Sequence, residues 1–169
     1  MRIKVIHLQT GVSEGSVVYW LNHGLNSVGV SSNIFCVYNK TNEEYIKLPF
    51  IYRFLCKVYY YIEQIFFKII KPKNTIHHSL GFSLIPFFII DKFVSDADII
   101  HIHWCAGGFL SYNHIKKLSE KYKVIITHHD AFHFCGSEHH YYKNVNVAQG
   151  KIESKLNYIL FNYKKIRIY

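Results

Sequence analysis

The chain has 169 residues, room for one domain with a real core but not for two of the usual ~100–150 residues. Charged residues make up 18%, below the ~25% of a typical soluble domain, and 14 Tyr with 13 Phe supply more aromatic surface than one small domain buries by itself. The net charge of +9 favours an anionic partner such as a nucleotide or a phospholipid surface, but the cations are spread thinly, with a longest run of Lys164, Lys165 and Arg167, so the gathered basic face of a nucleic-acid binder is excluded.

Lys4 and His7 interrupt the N-terminal apolar run at once, so no secretory signal is read. The widely spaced Cys36, Cys56, Cys105 and Cys135 then fit reduced thiols in a cytoplasmic protein. The longest apolar stretch, residues 80–90, is shorter than the ~20 residues needed to span a bilayer and contains Pro86, so no crossing of a membrane is expected.

Residues 2–8 are apolar and β-branched, the pattern of a strand covered on both faces. After a loop from Gln9 to Gly15, Ser16 is placed to cap a helix through about Val28, with Gly29 as the stop. Ser31 to Val37 reads as a second strand, and a strand, helix, strand unit of this kind requires a parallel sheet.

Residues 50–71 predict a long helix on which Arg53, Lys57, Gln64, Lys68 and Lys71 fall on one narrow stripe. The apolar arc left over is wider than the ~100° a globular core takes up, so part of it is expected to meet an anionic membrane surface, a partner or another domain. Pro72 ends the helix, and residues 73–81 read as loop.

A short helix around Leu84 to Val94, a strand from Ile99 to His103, a helix from Tyr112 to Tyr122 and a strand from Lys123 to Thr127 follow. Residues 128–150 form a long polar loop, Ile152 to about Tyr163 is helical, and Ile166 to Tyr169 begins a further strand.

The chemistry gathers where strands run into loops, which is where an open α/β sheet keeps its ligands. His101 and His103 lie two apart on a strand and so face one side, opposite Ile100 and Ile102. His103 and Trp104 come at the strand end, within reach of a cleft, and Trp104 suits stacking on a sugar; His101 is read as the deeper, hydrogen-bonded core histidine. Gly107 and Gly108 permit a close turn there. His129 comes at the carboxyl end of the strand Lys123 to Thr127, read as a central one, and Asp130 beside it is suited to fixing a histidine tautomer. His129 with His133, and Cys135 with His139, have spacings found in zinc sites, but no C-x-x-C accompanies them and metal binding is not the favoured reading.

Together ADIIHIHW (97–104), GGFLS (107–111), THHD (127–130) and FHFCGSEHHY (132–141), with MRIKVIHLQT at the start and Tyr19, Leu21, His23, Gly24, Leu25 and Gly29 behind it, resemble the N-terminal domain of the family 4 glycosyltransferases that build bacterial polysaccharides. The resemblance covers essentially the whole chain. It implies a single Rossmann-like α/β domain with a parallel sheet, spanning 1–169, incomplete at its C-terminus and forming the acceptor-side half of a two-domain GT-B enzyme. The donor nucleotide sugar would be held by a second domain through two glutamates eight positions apart, a spacing absent from this chain.

The resemblance further implies transfer to a saccharide or lipid-linked acceptor without metal or other cofactor, at the cytoplasmic side and peripherally at the inner face of the plasma membrane. His129 and Asp130 take the catalytic positions, and Gly15, Ser16, His103, Trp104, Gly107, Gly108 and His139 the substrate-binding ones. One departure is chemical: where the family usually has two adjacent glycines, this chain has Ser13, Glu14, Gly15 and Ser16, and a carboxylate at 14 would repel a diphosphate. The alternative is a non-catalytic binding subunit or degenerate remnant.

Overall fold

The computed structural model describes residues 2–70 and 79–129. Within them lies an α/β fold with one five-stranded, all-parallel sheet and four helices, compatible with a Rossmann-like arrangement. In chain order the elements are β1 (Lys4–Val12), α1 (Val17–Ser27), β2 (Ser31–Asn39), β3 (Ile46–Lys47), α2 (Phe50–Ile70), α3 (Phe87–Val94), β4 (Ile99–Ile102), α4 (Tyr112–Lys121) and β5 (Lys123–Ile126).

The strand order is β3-β2-β1-β4-β5. The chain therefore steps outward from β1 in one direction and then returns to build β4 and β5 on its other side. The gap between the carboxyl ends of β1 and β4 is the switch point of the sheet, where open α/β folds hold ligands.

Alternation along the strands splits the core. Ile6, Leu8, Phe35, Val37, Ile100 and Ile102 point to one face, where they pack with Cys56 of α2, Ile90 and Val94 of α3, and Tyr112, Ile115 and Leu118 of α4. On the other face Ile34 and Cys36 meet Val18 of α1. His7, level with Ile34 on β2 and His101 on β4, belongs to this second face.

Several boundaries differ from the sequence reading. β1 continues past residue 8 to Val12 because Gln9, Gly11 and Val12 still pair with Cys36, Tyr38 and Asn39, and β2 lengthens with it. Ser16 occupies the cap position of α1, but its hydroxyl donates to the Ser13 carbonyl at 2.7 Å instead of accepting from the helix. Gly29, at φ 88°, is the left-handed stop that was anticipated.

α3 starts at Phe87 and not near Leu84, because Pro86 biases Ile85 away from helical backbone. β3, only two residues long, is too short for periodicity to reveal. The expected loop over 73–81 is described only from Ser79, and everything anticipated beyond His129 lies outside the described residues.

α4 opens with a reciprocal cap. Ser111 Oγ accepts from the His114 N–H at 3.3 Å, and His114 Nδ1 accepts from the Ser111 N–H at 3.4 Å. That second bond requires a bare imidazole nitrogen, and burial first, then the charge of Lys117, pushes His114 down to about 4.

α2 buries a stripe of Cys56, Tyr59, Glu63 and Phe67 and leaves Phe50, Ile51, Phe54, Tyr61, Ile65 and Ile69 exposed alongside Lys57 and Lys68. Arg53 and Gln64 are half-buried, and Lys71 lies outside the described residues. The outward face is thus apolar with cations set into it, as the excess width of the apolar arc leads one to expect. The buried carboxylate has its own partners: the Tyr59 hydroxyl and the Leu80 N–H both donate to Glu63 Oε1, at 3.0 and 2.6 Å. No helix among the described residues is long and apolar enough to cross a membrane.

Candidate functional site

Backbone bonds close the base of the switch point. The Thr10 N–H donates to the Trp104 carbonyl at 2.9 Å, the Trp104 N–H to Gln9 Oε1 at 3.1 Å, and Thr10 Oγ1 to the Ala106 carbonyl at 2.7 Å. The turn that follows β4 is made by two glycines at positive φ, Gly107 at 71° and Gly108 at 85°.

The two glycines have different surroundings. Gly107 is half-exposed, and a Cβ there would only touch Thr10 Cγ2 at 4.0 Å. Gly108 is buried against α2, where a Cβ would come within 2.9 Å of Tyr59 Cδ1. Ser83 Oγ and the Cys56 thiol both donate to the Gly108 carbonyl, so this glycine packs α2 against the turn.

Four imidazoles meet below this edge. His7 Nδ1 is 3.1 Å from His103 Nε2, and His103 Nδ1 is 3.0 Å from His129 Nε2, with the His103 and His129 rings stacked. Behind them His7 Nε2 contacts Ser32 Oγ at 3.0 Å, and the Ser32 hydroxyl donates to Asn22 Oδ1 at 2.8 Å. To the side, His101 Nε2 contacts Thr127 Oγ1 at 2.7 Å.

The direction of the chain follows from its far end. Ser32 spends its single hydroxyl proton on Asn22, so it accepts from His7 Nε2–H. Burial, reinforced by His101, pushes His7 down to about 4, so at neutral pH its Nδ1 is bare and accepts from His103 Nε2–H. Burial and the neighbouring histidines push His103 down to about 3, so its Nδ1 is bare in turn and accepts from His129 Nε2–H. That leaves Nδ1 as the His129 ring nitrogen not engaged in this chain and offered to a ligand.

Sequence reading made His101 the deeper of the pair, and the structure reverses them. His103 is fully buried between the rings of His7 and His129, while His101 is half-buried, level with the exposed Ile125 of β5. His103 therefore reaches a ligand through His129. Trp104 is half-buried and packs on the apolar cluster.

Gly15 and Ser16 belong to the turn after β1, whose last residue, Val12, stands three residues, ~10 Å, beyond Gln9 along the strand. They share the carboxyl edge with the histidines, but the Ser16 side-chain bond stays within its own turn. Asp130 and His139, and the zinc alternative of His133, Cys135 and His139, lie outside the described residues.

Sequence reasoning missed His7, Ser32, Asn22 and Thr127. One signal was present: a histidine inside an otherwise apolar buried strand must find a partner. No family model, curated protein or solved structure matches the chain.

Proposed function

We propose that this chain is the acceptor-side domain of a GT-B type glycosyltransferase, which moves a sugar from a nucleotide-sugar donor to a saccharide or lipid-linked acceptor. The observation that carries the reading is the held imidazole of His129 at the carboxyl edge, beside the switch point of the sheet. Sugar transfer passes through an oxocarbenium-like state, and a histidine fixed in one tautomer serves to orient a hydroxyl and steady the developing charge. Trp104 offers an apolar ring for stacking at the same edge, and Gly107 lets a ligand approach the backbone. Asp130 and His139 join the site in this reading by their place in the sequence.

Donor binding in this reading falls to a second domain with the paired glutamates. The apolar, lysine-bearing face of α2 fits a peripheral contact with anionic lipid, where a lipid-linked acceptor resides. Exposed Glu14 in the first loop favours one other reading, a saccharide-binding subunit that handles no diphosphate.

Nuclear magnetic resonance titration of the full chain with saccharides and with nucleotide sugars separates these. Acceptor-type saccharides are expected to shift the Trp104 indole and His129 ring signals, while nucleotide sugars alone leave them in place. With a donor-binding domain supplied, His129→Ala is expected to lower turnover by ~10²–10⁴-fold. Saccharide binding with no turnover in any pairing would favour the binding subunit, and a chain that binds no saccharide would overturn both readings.

A further inference from the structure

The buried histidines have a capacity that the hydrogen-bonded chain does not use. One ring nitrogen from each of His7, His101 and His103 lies within 4.8 Å of the other two. Their remaining bonds hold the rings in place: His7 Nε2 meets Ser32 Oγ, His103 Nδ1 meets His129 Nε2, and His101 meets Thr127 Oγ1 through Nε2. Histidines that ligate a metal are fixed in this way, one nitrogen toward the ion and the other N–H on an outer acceptor.

One edge of the triangle already has the spacing of a bound ion, and the two edges to His101 lie within 4.8 Å. His7 Nδ1 and His103 Nε2 are 3.1 Å apart, near the ~3.3 Å that two nitrogens keep on a tetrahedral ion with bonds of ~2.0–2.1 Å. An all-imidazole set without carboxylate suits borderline ions such as Zn²⁺, Co²⁺, Ni²⁺ or Cu²⁺ and discriminates against Mg²⁺ and Ca²⁺. We propose that His7, His101 and His103 form a mononuclear site for such a divalent ion, zinc foremost, with the fourth position left to water.

Loading has a defined effect on the candidate catalytic histidine. With His103 Nε2 on the ion, its proton resides on Nδ1 and is donated to His129 Nε2, so that nitrogen must be bare and the His129 ring proton moves to Nδ1. His7 keeps its Nε2–H on Ser32. The ring protons change places without leaving the imidazoles, and His129 Nδ1 changes from acceptor to donor. The proposal does not depend on sugar chemistry, and neither does its test.

Chelator-treated full chain is titrated with Co²⁺ and then Zn²⁺. One equivalent of Co²⁺ is expected to give the visible bands of a four-coordinate ion, and Zn²⁺ to displace them. Long-range ¹H–¹⁵N spectra are expected to move the His129 proton from Nε2 to Nδ1 on loading. His103→Gln is expected to weaken binding by more than ~100-fold, and Thr127→Val, which removes only an outer partner, by ~10–100-fold. His23→Gln, whose imidazole pairs with Glu43 and not with the cluster, is the unchanged control. Full-strength uptake by a folded His7→Gln/His103→Gln double variant, unchanged affinity in Thr127→Val, or no uptake by folded wild-type chain would each overturn the site and leave the imidazoles as a hydrogen-bonded chain alone.

Discussion

The two faces of the sheet come from the same strands and the same alternation, yet they are filled with opposite chemistry. Toward α2, α3 and α4, β1 and β4 present Ile6, Leu8, Ile100 and Ile102, all fully buried. Toward the α1 side they present His7, His101 and His103. The first face is held by area removed from water, which is non-directional and additive over many contacts. Beside the apolar cluster around Ile34, the second is held where β1 and β4 meet by a chain in which each donor has one acceptor, so removing a link leaves a buried polar group with its desolvation cost. One face is fastened by area, the other in part by directed bonds.

The largest expected effect tests the apolar face. Ile102→Ala removes a fully buried side chain from the centre of the sheet, and urea unfolding is expected to show a loss of ~2–5 kcal/mol. A loss below ~1 kcal/mol would mean that this face is not the main source of stability.

Acid separates the faces next. His7 stands at about 4 in the folded chain against 6.5 for the free group, lowered first by burial and then by His101. The unfolded chain therefore takes up its proton first as pH falls. The contribution of neutral His7 is complete above about 6.5, declines as pH drops through the window, and is gone below about 4. It amounts to on the order of 3 kcal/mol for this group, with His101 and His103 acting in the same direction. Stability measured from pH 7 to 5 is expected to fall in the wild type and in Ile102→Ala alike, and to fall less steeply in His7→Gln, where His101, His103 and His114 still act in the same direction. Equal slopes in all three would remove the histidines from the account.

Ser32→Ala cuts the chain at its far end and leaves His7 Nε2–H without its acceptor, at an expected ~1–3 kcal/mol by the same unfolding measurement. The smallest effect concerns the outer side of α2. Vesicle sedimentation is expected to show binding that grows with anionic lipid and fades with salt, Lys57→Gln and Lys68→Gln each weakening it by up to ~1 kcal/mol. Binding indifferent to both substitutions would assign that face to a protein partner.

Much of this architecture was legible in the chain because apolar periodicity is strong where it matters. The alternation in IHIH, residues 100–103, announces a strand with two isoleucines on one face and two histidines on the other, and the β-branched run from Lys4 announces a buried neighbour. What periodicity does not carry is pairing across distance. The depths of His101 and His103 were reversed because depth depends on the rings stacked on either side, His7 and His129, which no local pattern brings together. Glu63 was unreadable for the same reason, since its partner at Leu80 belongs to a different segment. Gly108 was readable as a turn, but its contact with Tyr59 was not.

The same distance in sequence imposes an order in time. His7 meets Ser32 across 25 residues but His103 only across 96. During synthesis at ~5–20 residues per second, roughly seventy further residues, about 4–14 s, separate the emergence of the first partner from that of the second. β1 and β2 close around α1 early, while the other edge of β1, with its unpaired carbonyls and an imidazole turned to the future site, waits for β4. Among the described residues the histidine cluster, which ends at His129, is consequently completed late, and a ribosome pause within that interval would prolong the exposure of the open edge of β1.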